Sequence, residues 1–365
     1  MSPTFAQEVR RLRTERGLSL TRLAEQVRYS KSYLSKIENG QVRPTPEMAR
    51  VFEDALHAGG RLTALADAPA RPIPADDTVL LTFDAMFGNI RMLGHRSSPE
   101  AVLQWLRPQV DTLGTMARSA GDPGLGQGLW LLAARYAEYA GWMEQENGDE
   151  AAAAELTRQA VQYAIKGGDR ELEAFALVRS AEFALYRGDA RATVERARRA
   201  GRSRSPAVQR AAALREAQGY ALAGAARRCE ETLERALLLQ QQGGEIRYGS
   251  TSLVDQVAIT TAWAFHDLGR HAEAAAILDL QLPLIAPAAL RARTRFGLRR
   301  ALAHAAAGDL EHACELVTAL LDDVRQVQSA TVHIDLTAFS NLLTRSCPAV
   351  GRELAAEIAE LLFAG

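Results

Sequence analysis

Residues 19–40 read SLTRLAEQVRYSKSYLSKIENG, and the reading of this stretch decides the fold of the N-terminal part of the chain. Leu20, Leu23, Ala24 and Val27 recur at helical spacing behind Ser19, whose hydroxyl suits an N-cap. A second short helix follows Ser30, with Leu34 and Ile37 as its inner face and Asn39-Gly40 as its stop. Lys31, Ser32, Tyr33, Ser35 and Lys36 are left pointing away from the core, with no carboxylate before Glu38. Hydrogen-bonding side chains and two positive charges on a helix front suit phosphates and guanine edges. The stretch therefore predicts two helices and a tight turn, the second helix built to enter a DNA major groove.

Outward from it, Phe5, Val9 and Leu12 predict a helix over about 4–16, ended by Gly17. Downstream, Pro44-Thr45-Pro46 opens a helix to about 57 that carries Met48, Val51, Phe52 and Leu56 inward. Gly59-Gly60 breaks it, and residues 61–66 can make one last short helix. Five short helices with the ending LSKIENG at 34–40 resemble the helix-turn-helix of phage-repressor-like (XRE) transcriptional regulators over roughly residues 4–65. The resemblance implies that Lys31, Ser32 and Lys36 read bases, and that Ser19, Thr21, Ser30, Tyr33 and Arg43 contact backbone phosphate. It also implies an Arg13–Glu38 ion pair between helices that orients the motif. Two positions depart from the family pattern: Arg28 stands in the turn where Gly is common, and Leu20 replaces a frequent Gln.

Charge is distributed to match. Residues 1–65 carry eleven Lys/Arg and seven Asp/Glu, a net of +4, while the remaining 300 carry 32 and 37, a net of −5. A positive head on a negative body fits DNA binding at one end only. Arg outnumbers Lys 40 to 3, yet two of the three Lys stand on the outer face of the second short helix. Cys229, Cys314 and Cys347 are too far apart for a disulfide framework or a metal cluster, and the first two are expected to act as small apolar residues. No apolar run reaches transmembrane length and MSPTFAQE is no signal peptide, so the expectation is a cytoplasmic protein without membrane contact.

Residues 67–75, DAPARPIPA, hold three Pro and predict a semi-rigid spacer between an N-terminal domain at 1–66 and a second domain at 76–365. Beyond it every long segment reads as helix, and a period emerges. Gly turns recur at 148, 188, 224, 269 and 308, at intervals of 40, 36, 45 and 39. Seven residues before each stand Gly141, Ala181, Ala217, Ala262 and Ala301; five after stand Ala153, Thr193, Cys229, Ala274 and Ala313. Ala160, Ala200 and Ala236 lie twelve after the first three. These offsets resemble those of tetratricopeptide repeats, in which small residues let paired antiparallel helices approach closely. Helices near 78–93 and 99–119 would form a leading pair, and those near 331–345 and 351–363 a closing cap. The expected fold is all-α: a five-helix helix-turn-helix domain followed by a tetratricopeptide-like α-solenoid.

Enzyme constellations are weak. Residues 121–128, GDPGLGQG, lack the Lys-Ser/Thr and the preceding strand of a phosphate loop, and read as a flexible inter-helix loop. His266, Asp267, His271 and Glu273 surround one repeat turn and His304 and His312 flank another, the ordinary place for exposed histidines rather than a metal. No nucleophile–base pattern presents itself, so neither catalysis nor a cofactor is expected. A solenoid does offer a concave groove, whose facing positions include Arg135, Glu138, Tyr139 and Trp142, then Arg179, Glu182 and Tyr186. Arg215, Gln218, Gln256, Thr260, Trp263, Arg295 and Arg299 continue the series. Arg and aromatic residues interleaved along a groove suit a short peptide or an acidic small molecule.

The combined layout resembles the peptide-responsive quorum-sensing regulators of Gram-positive bacteria, of the Rgg, PlcR and PrgX kind. That resemblance implies a homodimer on a near-palindromic double-stranded DNA operator, with a signalling peptide or small molecule in the groove. Two other readings stay open: a DNA-binding adaptor whose repeats dock a protein, and an enzyme with a DNA-targeting head.

Overall fold

The computed structural model describes residues 4–39, 42, 44–67, 76–244, 248–249, 255–346 and 352–363. Gly40, Arg43, Cys347 and most of the Pro-rich spacer lie outside the described residues. Every regular element among the described residues is helical, and the chain forms two compact units, residues 1–73 and 74–365.

The first unit holds α1 (Phe5–Glu15), α2 (Leu20–Val27), α3 (Lys31–Glu38), α4 (Pro46–Ala55) and α5 (Arg61–Asp67). Hydroxyls start four of them. Thr4 and Gln7 form a reciprocal capping box on α1, while Ser19, Ser30 and Thr45 accept from the N–H of Arg22, Tyr33 and Met48 at 3.1 Å each. Phe5, Val9, Leu12, Leu23, Val27, Leu34, Ile37, Met48, Phe52, Leu56 and Leu62 form one shared core. Val51 does not join it: α4 turns that side chain outward, 38% exposed, because Met48 and Phe52 already define the buried face. The carboxyl of Glu53 accepts from the N–H groups of Gly60, Leu62 and Thr63 and so starts α5. Burial alone would raise its pKa, but these bonds hold it below the usual value.

The second unit is a run of helical hairpins: α6 (Asp77–Gly94), α7 (Pro99–Ser119), α8 (Pro123–Glu146), α9 (Glu150–Gly167), α10 (Arg170–Tyr186) and α11 (Ala190–Ala200). They continue as α12 (Pro206–Leu222), α13 (Ala226–Gln241), α14 (Gln256–Asp267), α15 (His271–Gln281) and α16 (Leu290–Ala306). The remainder is α17 (Leu310–Thr318), α18 (Leu321–Val327), α19 (Ala330–Ser346) and α20 (Arg352–Phe363). At three of the five repeat turns a Gly-Asp pair sets the hairpin. Gly148, Gly188 and Gly308 take left-handed φ of 86°, 73° and 103°, where a side chain would strain the backbone. The following Asp149, Asp189 and Asp309 each donate N–H back across the turn and accept from the first turn of the next helix. One dipeptide thus stops one helix and starts its partner. The small residues flanking these turns lie inside the hairpins: Ala181, Ala217, Ala262, Ala301, Thr193, Cys229, Ala274 and Ala313 are all fully buried. A Cβ at Gly141 would come within 3.2 Å of the Ala153 carbonyl, so α8 and α9 approach closely there. Burial pushes the Cys229 thiol up to about 11, leaving it an inert apolar group.

Two expectations are corrected here. Residues 123–128 are no loop: they are the first turns of α8, started by Asp122, which accepts from Leu125 N–H at 2.7 Å. Their glycines serve close packing, since a Cβ at Gly128 would lie 2.9 Å from Leu80. Helix α18, with Leu321, Val324 and Val327 buried, was not anticipated because it is too short to show a period.

The array also closes on itself. Arg291, at the start of α16, is 3% exposed; its backbone N–H donates to His95 O at 2.8 Å and its Nε to Gly94 O at 3.0 Å. Its Nη1 reaches Val327 O at 3.3 Å, and Nη2 donates to Ser97 O. Glu146 lies 3.7 Å away and accepts from Ser329 and Thr331. One guanidinium therefore clasps the α6–α7 connection, the end of α8 and the end of α18. Tyr248 and Gly249 cross the inside of the same unit: Tyr248 packs on Phe175 and donates to Asp169, and Gly249 N–H donates to Glu138. Arg291→Ala should cost about 3–5 kcal/mol, because it strands buried carbonyls and the Glu146 carboxylate together. The urea midpoint of the full chain, monitored by tryptophan fluorescence, checks this.

Candidate DNA-reading face and interior cavity

In the N-terminal unit one ion pair fixes α3 against α1. Arg13 Nε donates to Glu38 Oε1 at 2.5 Å and Nη2 to Oε2 at 2.9 Å, while Nη1 takes the Leu18 carbonyl at 2.8 Å. The side chains are only 14% and 6% exposed, so this is a buried, bidentate link rather than a solvated surface couple. Arg28 closes α2 in the left-handed region, φ 57°, which costs about 1–2 kcal/mol relative to Gly. Its side chain stays exposed.

Lys31, Ser32 and Lys36 are all exposed on α3, and Thr21 is exposed on α2. Tyr33 is half-buried: its ring lies 5.3 Å from that of Tyr29, which in turn stacks on Phe52. Ser19 and Ser30 occupy cap positions, so their oxygens already accept a backbone N–H. Neither α2 nor α3 has an acidic residue in its first turn, leaving the positive end of each helix dipole uncompensated. The surface thus offers two lysines, exposed hydroxyls and two cationic helix ends.

The second unit holds a partly open cavity of about 130 Å³ lined mainly from α8, α10, α12, α14 and α16. One buried water takes on the order of 10–15 Å³ by the same measure, so a small organic group fits. Trp142, Arg179, Glu182, Arg215, Thr260 and Trp263 line it, as do Gln256 and Arg295. His95, Glu146, Phe175, Tyr248, Arg291 and Phe296 complete the wall; none of these was singled out in the sequence. Arg291 had a signal, since Arg291, Arg295 and Arg299 recur every four residues along one face of α16.

Six expected groove positions fall elsewhere: Arg135, Glu138, Tyr139, Tyr186, Gln218 and Arg299. Arg135 pairs with Asp84 at 2.6 Å and lies over Phe87, so the leading helix α6 covers it. Tyr139 is 1% exposed, packs on Phe87 and donates to Arg91 O at 3.3 Å, for the same reason. Gln218 is fully buried and receives Arg215 Nη1. Arg299 lines a neighbouring pocket of about 160 Å³, sits on the Trp263 ring 3.3 Å from its centroid, and is held by Asp335 at 2.9 and 3.0 Å. Arg135 and Tyr139 share one cause: the period fixes which helix faces inward but not that α6 lies over it.

The cavity is electrically uneven. Burial alone would raise the Glu182 carboxyl, but Arg179, Arg215 and Arg295 around it hold its pKa below the usual range. Burial lowers the pKa of Arg215 and Arg295, the sign of cations held away from water. Burial also raises Glu138 against the opposing field of Arg179. In the adjacent pocket, His266 is depressed to about 4, first by burial and then by His271, whose ring is 4.9 Å away.

A family profile for a helix-turn-helix domain matches residues 4–66, so the N-terminal unit is a helix-turn-helix domain. No curated protein matches the chain. Among solved structures, the chain is similar to Bacillus thuringiensis PlcR, crystallised in complex with the peptide PapR7 and DNA. The two are 13% identical over 93% of this chain and 100% of that one, with a TM-score of 0.31. No described helix is long and apolar enough to cross a membrane.

Lys36→Ala should weaken binding to the preferred duplex by about 1–3 kcal/mol while leaving random duplex nearly unaffected, as a base contact requires. Fluorescence anisotropy on both duplexes measures it, and equal losses would assign Lys36 to phosphate.

Proposed function

We propose that this chain is a sequence-specific DNA-binding transcriptional regulator whose helical unit is a sensor for a peptide or small signalling molecule. The observation that carries the first half is the exposed Lys31, Ser32 and Lys36 on a helix whose other face, Leu34 and Ile37, is locked into the core. A reading helix needs that division: a rigid inner face fixes register, and free polar side chains meet base edges. The buried Arg13–Glu38 link supports it by fixing α3 against α1.

The sensor half is supported by the cavity. It is walled by Trp142, Phe175, Trp263 and Phe296 with a few polar groups converging inside, the general make-up of a small-ligand site. A ligand there acts on DNA binding only if it favours one arrangement of the protein over another. In this reading the protein is a homodimer, and its two heads take half-sites about 34 Å apart on one face of the duplex.

Selection of bound duplexes from a random pool by the full chain tests the reading. Enrichment of one inverted-repeat sequence is expected, with Lys31→Ala and Lys36→Ala each relaxing the preference at a defined position. Recovery of unrelated sequences would refute sequence-specific binding.

A further inference from the structure

The four arginines of the cavity are not equivalent. Arg291 is committed to the clasp, and Arg215 Nη1 donates to Gln218. Arg179 is 2% exposed and its Nη1 donates to Glu182 at 2.5 Å, yet its Nε and Nη2 are buried without a hydrogen-bond partner. The Nε and Nη2 of Arg295 are likewise buried and unpartnered, with the guanidinium set 5.3 Å from the ring centres of both Tyr186 and Trp263. Nε and Nη2 form one edge of a guanidinium, the edge that grips a carboxylate or phosphate with two parallel bonds. The same edge is thus unmatched on two arginines of one cavity. A buried donor on a charged group with nothing to bind is among the costliest features a fold can carry.

Charge points the same way. Arg179, Arg215 and Arg295 surround the carboxylate of Glu182, while Glu138 also faces Arg179 and Glu146 and Asp335 act on Arg295 from farther off. Glu146 faces Arg291, and Glu138 is occupied by Gly249 N–H. Among the side chains lining the cavity, four guanidiniums stand against the two carboxylates of Glu146 and Glu182, so positive charge is in excess beside the aromatic walls.

We propose that the cavity seats the acid group of an amphipathic organic anion, gripped by the free edges of Arg179 and Arg295, with the apolar part of the ligand against Trp142, Phe175 and Phe296. The proposal rests on the sensor reading above and specifies the charge of its ligand. A carboxylate and a phosphate share the required chemistry, and the probes separate them.

Isothermal titration of the full chain compares phenylacetate, phenyl phosphate and the uncharged phenylacetamide. At least one acid should bind about tenfold or more tightly than the amide, the worth of a hydrogen bond to a charged group. Whichever acid binds more tightly names the group. That advantage should disappear in Arg295→Met and Arg179→Met. Arg295→Met should also melt at or above the wild-type temperature without ligand, because it removes an unpaired buried cation. Equal binding of acids and amide, undiminished acid binding in both variants, or a lower melting temperature for Arg295→Met would overturn the anion seat and leave the sensor reading standing. Acid binding with no effect on operator affinity would instead refute the sensor reading and leave the anion seat in place.

Discussion

Arg291 sits where the beginning of the helical array meets its end, and its guanidinium spans carbonyls of Gly94, Ser97 and Val327. A stack of hairpins without such a link presents an open concave strip, wet along its length. With it, α8, α10, α12, α14 and α16 surround an interior, and that interior is what gives Arg179 and Arg295 their electrostatic weight. An arginine in water is a weak attractor; the same arginine behind aromatic walls, where the effective dielectric falls, attracts an anion far more strongly. The clasp is itself a buried ion group fully satisfied by carbonyls and Glu146, whereas the two cavity arginines are not. That difference separates scaffold from site.

Much of this was legible in the chain. Gly followed by Asp marks the end of one helix and the start of the next, because left-handed φ and N-capping are local properties of those two residues. The small residues at fixed distances from Gly188, Gly224, Gly269 and Gly308 likewise mark positions that the hairpins bury completely. Helix α3 was visible for the same reason: Ser30, Leu34 and Ile37 fix its phase, and the exposure of Lys31, Ser32 and Lys36 follows.

What escaped the sequence is what depends on summed geometry. Closure of the array follows from small rotations added over many hairpins, so no local pattern announces that Arg291 will meet Gly94. Arg135 and Tyr139 have the phase of groove residues but lie beneath α6, a helix outside the repeat. Residues 121–128 mislead because glycine usually signals a loop; here it lets α8 pass close to Leu80. The pairing of Arg13 with Glu38 was anticipated by resemblance, but its burial comes from how α1 and α3 pack.

The central proposal is that occupancy of the interior cavity governs the DNA-binding head. Ala292 also lines the cavity, and Ala292→Phe fills it from within, imitating occupancy without any knowledge of the ligand. The direct measurement is the dissociation constant of the full chain for its selected operator, wild type against this variant, with circular dichroism confirming the same helix content. A severalfold change in affinity, in either direction, is the expected result. Identical affinities in two equally folded proteins would contradict the account.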